Sequence, residues 1–239
     1  MPHRFSGKLV LVAGGTGALG QAVTLSFLDE RAHVVVTYRR QEEFAALTKA
    51  AGANASSLEG HQLDVTDEPA AGRLIEGILA SSKRVDVLVN TVGAFAGGAP
   101  LWETDSKTFD QMLALNLRSG YVLCRAVVPV MLKQKSGTIA NVSSRAALDH
   151  AAGMAAYAAS KAAAVAMIDS LAAELKGTGV RVNSVLPSII DTDANRKAMP
   201  KADFTKWPKP EDIARVILFL CSEDAGLIHG ASVPVYGSS

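Results

Sequence analysis

Two kinds of hydrophobic run alternate along this chain. Short continuous apolar blocks fall at residues 8–13, 33–37, 85–90, 138–142 and 179–186. Blocks without polar alternation predict strands buried on both faces, the habit of parallel sheets. Residues 57–63 and 231–235 read as two further strands, making seven. Between the blocks, apolar residues recur at helical spacing over 21–31, 42–51, 68–80, 105–133, an Ala-rich segment at 157–175, and 211–221. These predict about six helices, the fourth interrupted by Gly120 and Pro129. Strands alternating with helices predict an α/β fold: a doubly wound parallel seven-stranded sheet with helices on both faces. No linker, repeat or low-complexity tract divides the chain, so residues 1–239 are expected to form a single domain. Residues 187–210 read as irregular and are long for a connection, which marks a substrate loop or lid.

Sheets of this type bind ligands at the carboxyl ends of their strands, and the candidate binding residues gather at those ends. The first strand runs into Gly14-Gly15-Thr16-Gly17-Ala18-Leu19-Gly20, and a helix follows. Gly15-x-Gly17-x-x-Gly20 in that setting is the dinucleotide fingerprint of Rossmann-type folds. Missing Cβ atoms let the backbone approach a pyrophosphate, and the helix N-terminus offers free N–H groups. The competing reading, a purely structural turn, is the weaker one in this setting. The second strand ends in Tyr38-Arg39-Arg40, where NAD-selective sites place a carboxylate for the ribose 2′-OH. No acid stands there, and two guanidinium forks suit a phosphate, so NADP(H) is expected over NAD(H), with NAD(H) possible. The bland alternative is a solvated basic turn. Asp64 and Val65 end the third strand; Asp64 could face an adenine, or merely cap the next helix. Asn90-Thr91-Val92-Gly93 ends the fourth strand, and Pro187, Ser188, Ile190 and Thr192 follow the sixth.

The chemistry concentrates between Asn141 and Lys161. Tyr157 and Lys161 are four residues apart, so on a helix they share one face. A fixed ammonium favours phenolate, and is expected to pull the phenol from ~10 towards neutral pH. Taken alone, Tyr-x-x-x-Lys is more often a surface pair. Ser143 and Ser144 end the fifth strand, where one of them can point into a cleft. Asn116 lies within the long fourth helical segment, where a buried amide needs partners or a job.

Taken together, the glycine loop, Asn90-x-x-Gly93, Asn116, Ser144, Tyr157-x-x-x-Lys161 and Asn183-x-x-x-Pro187 resemble the short-chain dehydrogenase/reductase family, over essentially the whole chain. The resemblance implies an NAD(P)(H)-dependent oxidoreductase. In it Tyr157 protonates a carbonyl oxygen as hydride arrives, and Lys161 binds the nicotinamide ribose and keeps the tyrosine acidic. Ser144 hydrogen-bonds the substrate oxygen, Asn116 holds a water leading to Lys161, and Thr192 contacts the nicotinamide. The family's serine-to-tyrosine separation selects Ser144, with Ser143 as the alternative. The chain departs from the pattern at Ala18, at Thr91-Val92 within the usual Asn-Asn-Ala-Gly, and at Ser188 in place of a glycine. A narrower likeness to quinonoid dihydropteridine reductases lies in the glycine loop, in Ala147-Leu148-Asp149 with Gly153-Met154, and in the segment from Asn195 to Trp207. That group lacks the active-site serine and favours NADH, whereas this chain has Ser144 and lacks the acid.

Composition narrows the classes. The chain is 49% apolar and 20% charged with net charge +1, so neither a nucleic-acid partner nor an anionic membrane is expected. No stretch reads as a membrane span, and the N-terminal apolar run is short for a secretory signal. Cys124 and Cys221 are far apart in apolar settings, so a reducing, cytoplasmic compartment without disulfides is expected. The five histidines never fall at metal-ligand spacing, so no metal site is expected. The sequons at Asn54 and Asn141 are discounted for want of a secretory signal. Phe95, Leu148, Met154, Met199, Phe204 and Trp207 are candidate apolar contacts for a small-molecule carbonyl or alcohol substrate. For Phe204 and Trp207, packing of the loop onto the body is the stronger reading. Family habit implies a homo-oligomer, tetramer or dimer, through helices near 105–133 and 151–175. Three functions stay in view: an NADPH-dependent carbonyl reductase, a pterin or quinone reductase on the same scaffold, and a catalytically silent NADP(H) sensor.

Overall fold

A computed structural model describes residues 3–238; Met1, Pro2 and Ser239 of the expected domain lie outside the described residues. The strands β1 (Leu9–Ala13), β2 (His33–Tyr38), β3 (Leu58–Gln62), β4 (Val87–Asn90), β5 (Gly137–Val142), β6 (Val180–Pro187) and β7 (Ser232–Val235) form one sheet in the order β3-β2-β1-β4-β5-β6-β7. Every neighbouring pair is parallel. The direction of winding reverses between β1 and β4, which opens a crevice at their carboxyl ends.

Around the sheet lie α1 (Ala18–Asp29), α2 (Gln41–Ala51), α3 (Glu68–Ser82), α4 (Ser106–Leu113), α5 (Ser119–Gln134), α6 (Ala155–Glu174), α7 (Asp193–Ala198) and α8 (Pro210–Cys221). The unbroken apolar runs have a direct cause, because alternate β1 side chains enter two different cores. Val10 and Val12 pack with Phe27 of α1 and Ile217 of α8. Leu9 and Leu11 pack with Ile75 of α3, Leu123 of α5 and Ile168 of α6. Each such buried side chain contributes about 1.5–3 kcal/mol, so both faces select for aliphatic residues.

Two expectations need correction. Gly120 and Pro129 do not interrupt the long helical segment, and α5 continues through both. The change comes earlier, at residues 114–118, where a π-turn separates α4 from α5. Pro129 removes one helical N–H, but Val127 and Met131 on either side of it are fully buried and hold the helix in place. The longest helical stretch passes a length-and-composition test for a span without overturning the expectation that none is present. The helical stretch Ser106–Gln134 holds an apolar window of mean hydropathy 1.2, long enough by composition to cross a bilayer. Of that window 44% is buried inside the protein, against α3 and α6. The second correction is residues 187–210, which are not wholly irregular. Thr192 caps α7 by accepting the Asn195 N–H at 3.2 Å, and Asp191 forks onto Arg196 at 2.5 and 2.8 Å. The Asp191 N–H reaches the Pro208 carbonyl at 2.9 Å, closing the base of the loop.

Candidate active site

The glycine turn is shaped by what lies against it. Gly14 adopts φ +75°, and a Cβ on Gly20 would overlap the Gly14 carbonyl. Gly17 caps α1 in an extended conformation, so α1 begins at Ala18, three residues before the expected start. Its first-turn N–H groups and positive dipole end are thus offered beside the turn. Thr37 ties the turn to β2, its Oγ1 accepting the Gly14 N–H at 3.0 Å.

A cleft of about 450 Å³ runs along the carboxyl rim. Gly14, Thr16 and Gly17 line one side of it, Tyr38, Arg39 and Arg40 the end of β2, and Asp64 and Val65 the end of β3. Thr91, Val92 and Gly93 close it towards β4. The volume, the bare backbone at Gly17 and the helix N-terminus suit a dinucleotide. Of the other expected cofactor residues, Leu19, Gly20 and Asn90 are buried behind the cleft. Gly15 and Ala18 are not among its lining residues. Asn90 accepts the Val92 N–H at 3.2 Å and donates to Asn141 at 3.1 Å. Thr91, where the family pattern has asparagine, donates to the Ala13 carbonyl at 2.7 Å and so fastens β4 to the glycine turn. A smaller cavity of about 230 Å³, lined by Arg4, Lys8, Asp86 and Arg181, lies at the opposite rim, away from every candidate catalytic residue.

Gly93 leads from the cleft to the catalytic candidates. A Cβ there would stand 2.9 Å from Asn116 Oδ1 and 3.1 Å from Lys161 Nζ, so these two groups converge where the cleft ends. Asn116 sits in the π-turn and is buried. It accepts the Ala94 N–H at 2.9 Å and donates to the Ala94 carbonyl at 3.0 Å and to Ser160 Oγ at 3.0 Å. The local bulge that aims such a side chain is a recurrent device at functional sites.

Tyr157 and Lys161 share a face of α6, one turn apart. Ser144, just beyond β5, lies close enough to the Tyr157 phenol to favour its ionised form, and its hydroxyl accepts the Ala146 N–H at 3.1 Å. Ser143 points elsewhere: its hydroxyl donates to the Lys161 carbonyl at 3.1 Å and is buried. The two serines point in different directions, Ser144 towards the phenol and Ser143 into the backbone of α6.

The expected lowering of the Tyr157 pKa is not what the structure gives. Burial of the phenol outweighs the pull of nearby Ser144 and holds it above its ordinary value. Burial also brings Lys161 down to about 8. Its ammonium donates to the Val142 carbonyl at 3.2 Å, and that carbonyl, not the phenol, is its hydrogen-bond partner here.

The apolar candidates separate into two groups. Phe95 is 64% exposed and stands edge-on to Tyr157, ring centroids 5.0 Å apart. Met154 immediately precedes α6, and Leu148 is exposed nearby. The Gly98 N–H reaches the Gly153 carbonyl at 2.8 Å, joining the Phe95 and Met154 segments into one wall. Phe204 and Trp207 instead pack on each other at 5.0 Å, with Trp207 buried and Arg196 over the Phe204 ring. They anchor the loop that carries Met199. Pro187 and Ser188 follow β6, and Ser188 donates to the Tyr236 carbonyl at 2.8 Å. Ile190 packs against the core on the α1 and α8 side of the sheet. Sequence reasoning missed Glu43, Leu115 and Ser160. Ser160 adjoins Lys161, and Glu43 follows Arg40 by three residues on a helix, so spacing was the signal for both.

A family model described as short chain dehydrogenase matches residues 8–203. The 3-oxoacyl-[acyl-carrier-protein] reductase FabG of Thermotoga maritima is 34% identical over 242 residues, covering 98% of each chain. D-threitol dehydrogenase of Mycolicibacterium smegmatis is 32% identical, covering 98% of this chain and 93% of that one. Among solved structures, ElxO with NADP bound superposes with a TM-score of 0.91 at 29% identity, covering 96% of this chain and 97% of that one.

Proposed function

The chain belongs to the short-chain dehydrogenase/reductase family of oxidoreductases, and from that premise we propose that it is an NADPH-dependent reductase of a carbonyl compound, ketone or 3-oxoacyl-like. The observation that carries the proposal is the convergence of Asn116 and Lys161 at Gly93, where the glycine-turn cleft ends, with Tyr157 one turn from Lys161 on the same helix. Bound in that cleft, the cofactor supplies the hydride. Tyr157, kept protonated by burial, donates its phenolic proton to the carbonyl oxygen, and Ser144 hydrogen-bonds the same oxygen as negative charge develops on it. Lys161 holds the cofactor ribose and presents a positive charge near the phenol. Asn116 fixes the Ala94 backbone beside the ammonium, and the second lone pair of its Oδ1 is the place for the relay water.

The mouth of the cleft carries Arg39 and Arg40, which favours NADPH, and a structural relative is titled as binding NADP. Phe95 and Met154 form the substrate wall, and residues 187–210 with Met199 form the loop over it. Leu101, Trp102, Phe109, Tyr121 and Leu132 are exposed on and beside α4 and α5, consistent with a homo-oligomer joined there. Cys124 and Cys221 are free, buried thiols pushed up to about 12, which suits a reducing cytoplasmic setting. Ser144 beside Tyr157 favours a carbonyl over a pterin substrate, and a pure sensor has no need of that pair.

Tyr157→Phe tests the proposal. Oxidation of NADPH by ketones and 3-oxoacyl esters should fall at least about 100-fold, while NADP⁺ binding by calorimetry is retained. Undiminished turnover would end the assignment of Tyr157, and a wild-type protein inert on every carbonyl but active on quinonoid dihydropterin would move the substrate class.

A further inference from the structure

The preference for a 2′-phosphate rests in sequence on two arginines and a missing acid at the end of β2. In three dimensions the acid is present, delivered from another element. Glu43, in the first turn of α2, lies in the lining of the cleft with Thr16, Arg39 and Arg40. Its Oε2 accepts the Thr16 hydroxyl at 3.1 Å. Its Oε1 accepts Arg40 Nε at 3.0 Å and, closer still, Arg40 Nη2. The carboxylate therefore bridges the glycine turn to the arginine across the adenosine end of the cleft. Glu42 adds a second acid 3.7 Å from Arg40, and Asp64 lies 3.5 Å from Arg39. Two guanidinium groups face three carboxylates, so neither cation waits unpaired for a phosphate.

We propose that Glu43 is a specificity-determining residue: it holds Arg40 against Thr16 and so restrains the cofactor preference for a 2′-phosphate. This rests on the reading of the cleft as a dinucleotide site. A phosphate entering beside Arg40 must displace Glu43 from the guanidinium and then stand next to a carboxylate of like charge. Both costs fall on NADP(H) and spare NAD(H), which lacks the phosphate. The arrangement leaves NAD(H) usable in a site that shows arginines at the usual position, and makes the selectivity tunable through one side chain on α2. Glu43 is itself held ionised, its carboxyl kept below the usual range first by Arg40 and then by Thr16.

Calorimetric titration of NADP⁺ and NAD⁺ into wild type, Glu43→Gln and the Glu43→Gln, Arg40→Gln double variant tests this without any turnover. Adenosine 2′,5′-bisphosphate against 5′-AMP gives the same comparison with the nicotinamide half removed. In Glu43→Gln, NADP⁺ should tighten by roughly three- to tenfold, the range expected for releasing a partly exposed charged partner. NAD⁺ should stay within about twofold, and the gain should vanish in the double variant, because Arg40 is its source. An unchanged or lower NAD⁺-to-NADP⁺ ratio of dissociation constants overturns the inference. So does a selective loss of NAD⁺ affinity, which would make Glu43 a clamp for the ribose hydroxyl, or a gain that survives removal of Arg40. A wild type that binds both dinucleotides equally refutes the NADPH preference alone, since the shift in the ratio still reads Glu43. A wild type that binds neither refutes the dinucleotide site and this inference with it.

Discussion

Replacing Lys161 by methionine should stabilise this protein at neutral pH while destroying its activity. Lys161 is 5% exposed, its ammonium has one hydrogen bond, to the Val142 carbonyl at 3.2 Å, and burial brings it from its ordinary 10.5 to about 8. That gap corresponds to about 3 kcal/mol opposing folding while the group is charged. The sign follows from proton binding. Below pH 8 both folded and unfolded chains carry the charge and the full cost is present. Between about 8 and 10.5 the unfolded chain binds the extra proton, so stability rises with pH, and above that window the cost is gone. Methionine removes the charge and fills similar space, but forfeits the Val142 bond, about 1 kcal/mol. The net gain is about 2 kcal/mol at pH 7, or about 4–8 °C in Tm for a chain of this size. Near pH 10.5 only the lost hydrogen bond remains, and the variant should be the less stable protein by about 1 kcal/mol. Urea unfolding followed by circular dichroism, at fixed protein concentration and without cofactor, measures the difference across this range. A variant less stable at pH 7, or a difference that ignores pH, would refute the reasoning.

Two further comparisons probe the same corner of the molecule. Gly93→Ala places a methyl 2.9 Å from Asn116 Oδ1 and 3.1 Å from Lys161 Nζ; a displacement of that kind should lower kcat about 10- to 100-fold, seen in steady-state rates. Ser143 and Ser144 should part company when each is changed to alanine. Ser143→Ala loses the bond to the Lys161 carbonyl and should cost about 1 kcal/mol in urea unfolding with activity largely kept. Ser144→Ala loses the bond from the Ala146 N–H and should cost a similar ~1 kcal/mol, but it should also reduce kcat about 100- to 1,000-fold, the scale for losing one donor to a developing oxyanion.

What was legible in the chain follows from which interactions are local. β1 and β4 announce themselves because a strand covered on both faces admits only aliphatic residues, and the two cores that divide Val10 from Leu11 are the reason. The Gly14–Gly20 turn was legible because the Gly14 carbonyl leaves no room for a side chain at Gly20. The π-turn at 114–118 left no mark, since it substitutes one hydrogen-bond spacing for another without demanding glycine or proline; Gly120 and Pro129 drew attention away from it. The apolar window of Ser106–Gln134 has the composition of a span because a helix packed against α3 and α6 needs the same residues as one in lipid.

The charges were hardest to read, for a physical reason. A pKa or an ion pair depends on distances between segments remote in sequence and on the water excluded between them. Proximity of Tyr157 to Lys161 suggested a lowered phenol, but burial penalises both ionised forms, pushing the phenol up and the ammonium down. Arg39-Arg40 suggested an open phosphate site, yet Asp64 and Glu43 reach those guanidinium groups from β3 and α2. In both places the sequence showed which groups meet, and the solvent they lose on meeting decides their charge. Lys161 is the sharper case: a buried ammonium with a single carbonyl partner is a poor way to stabilise a fold. Its cost to stability is a reason to assign it a function, and the methionine variant measures that cost directly.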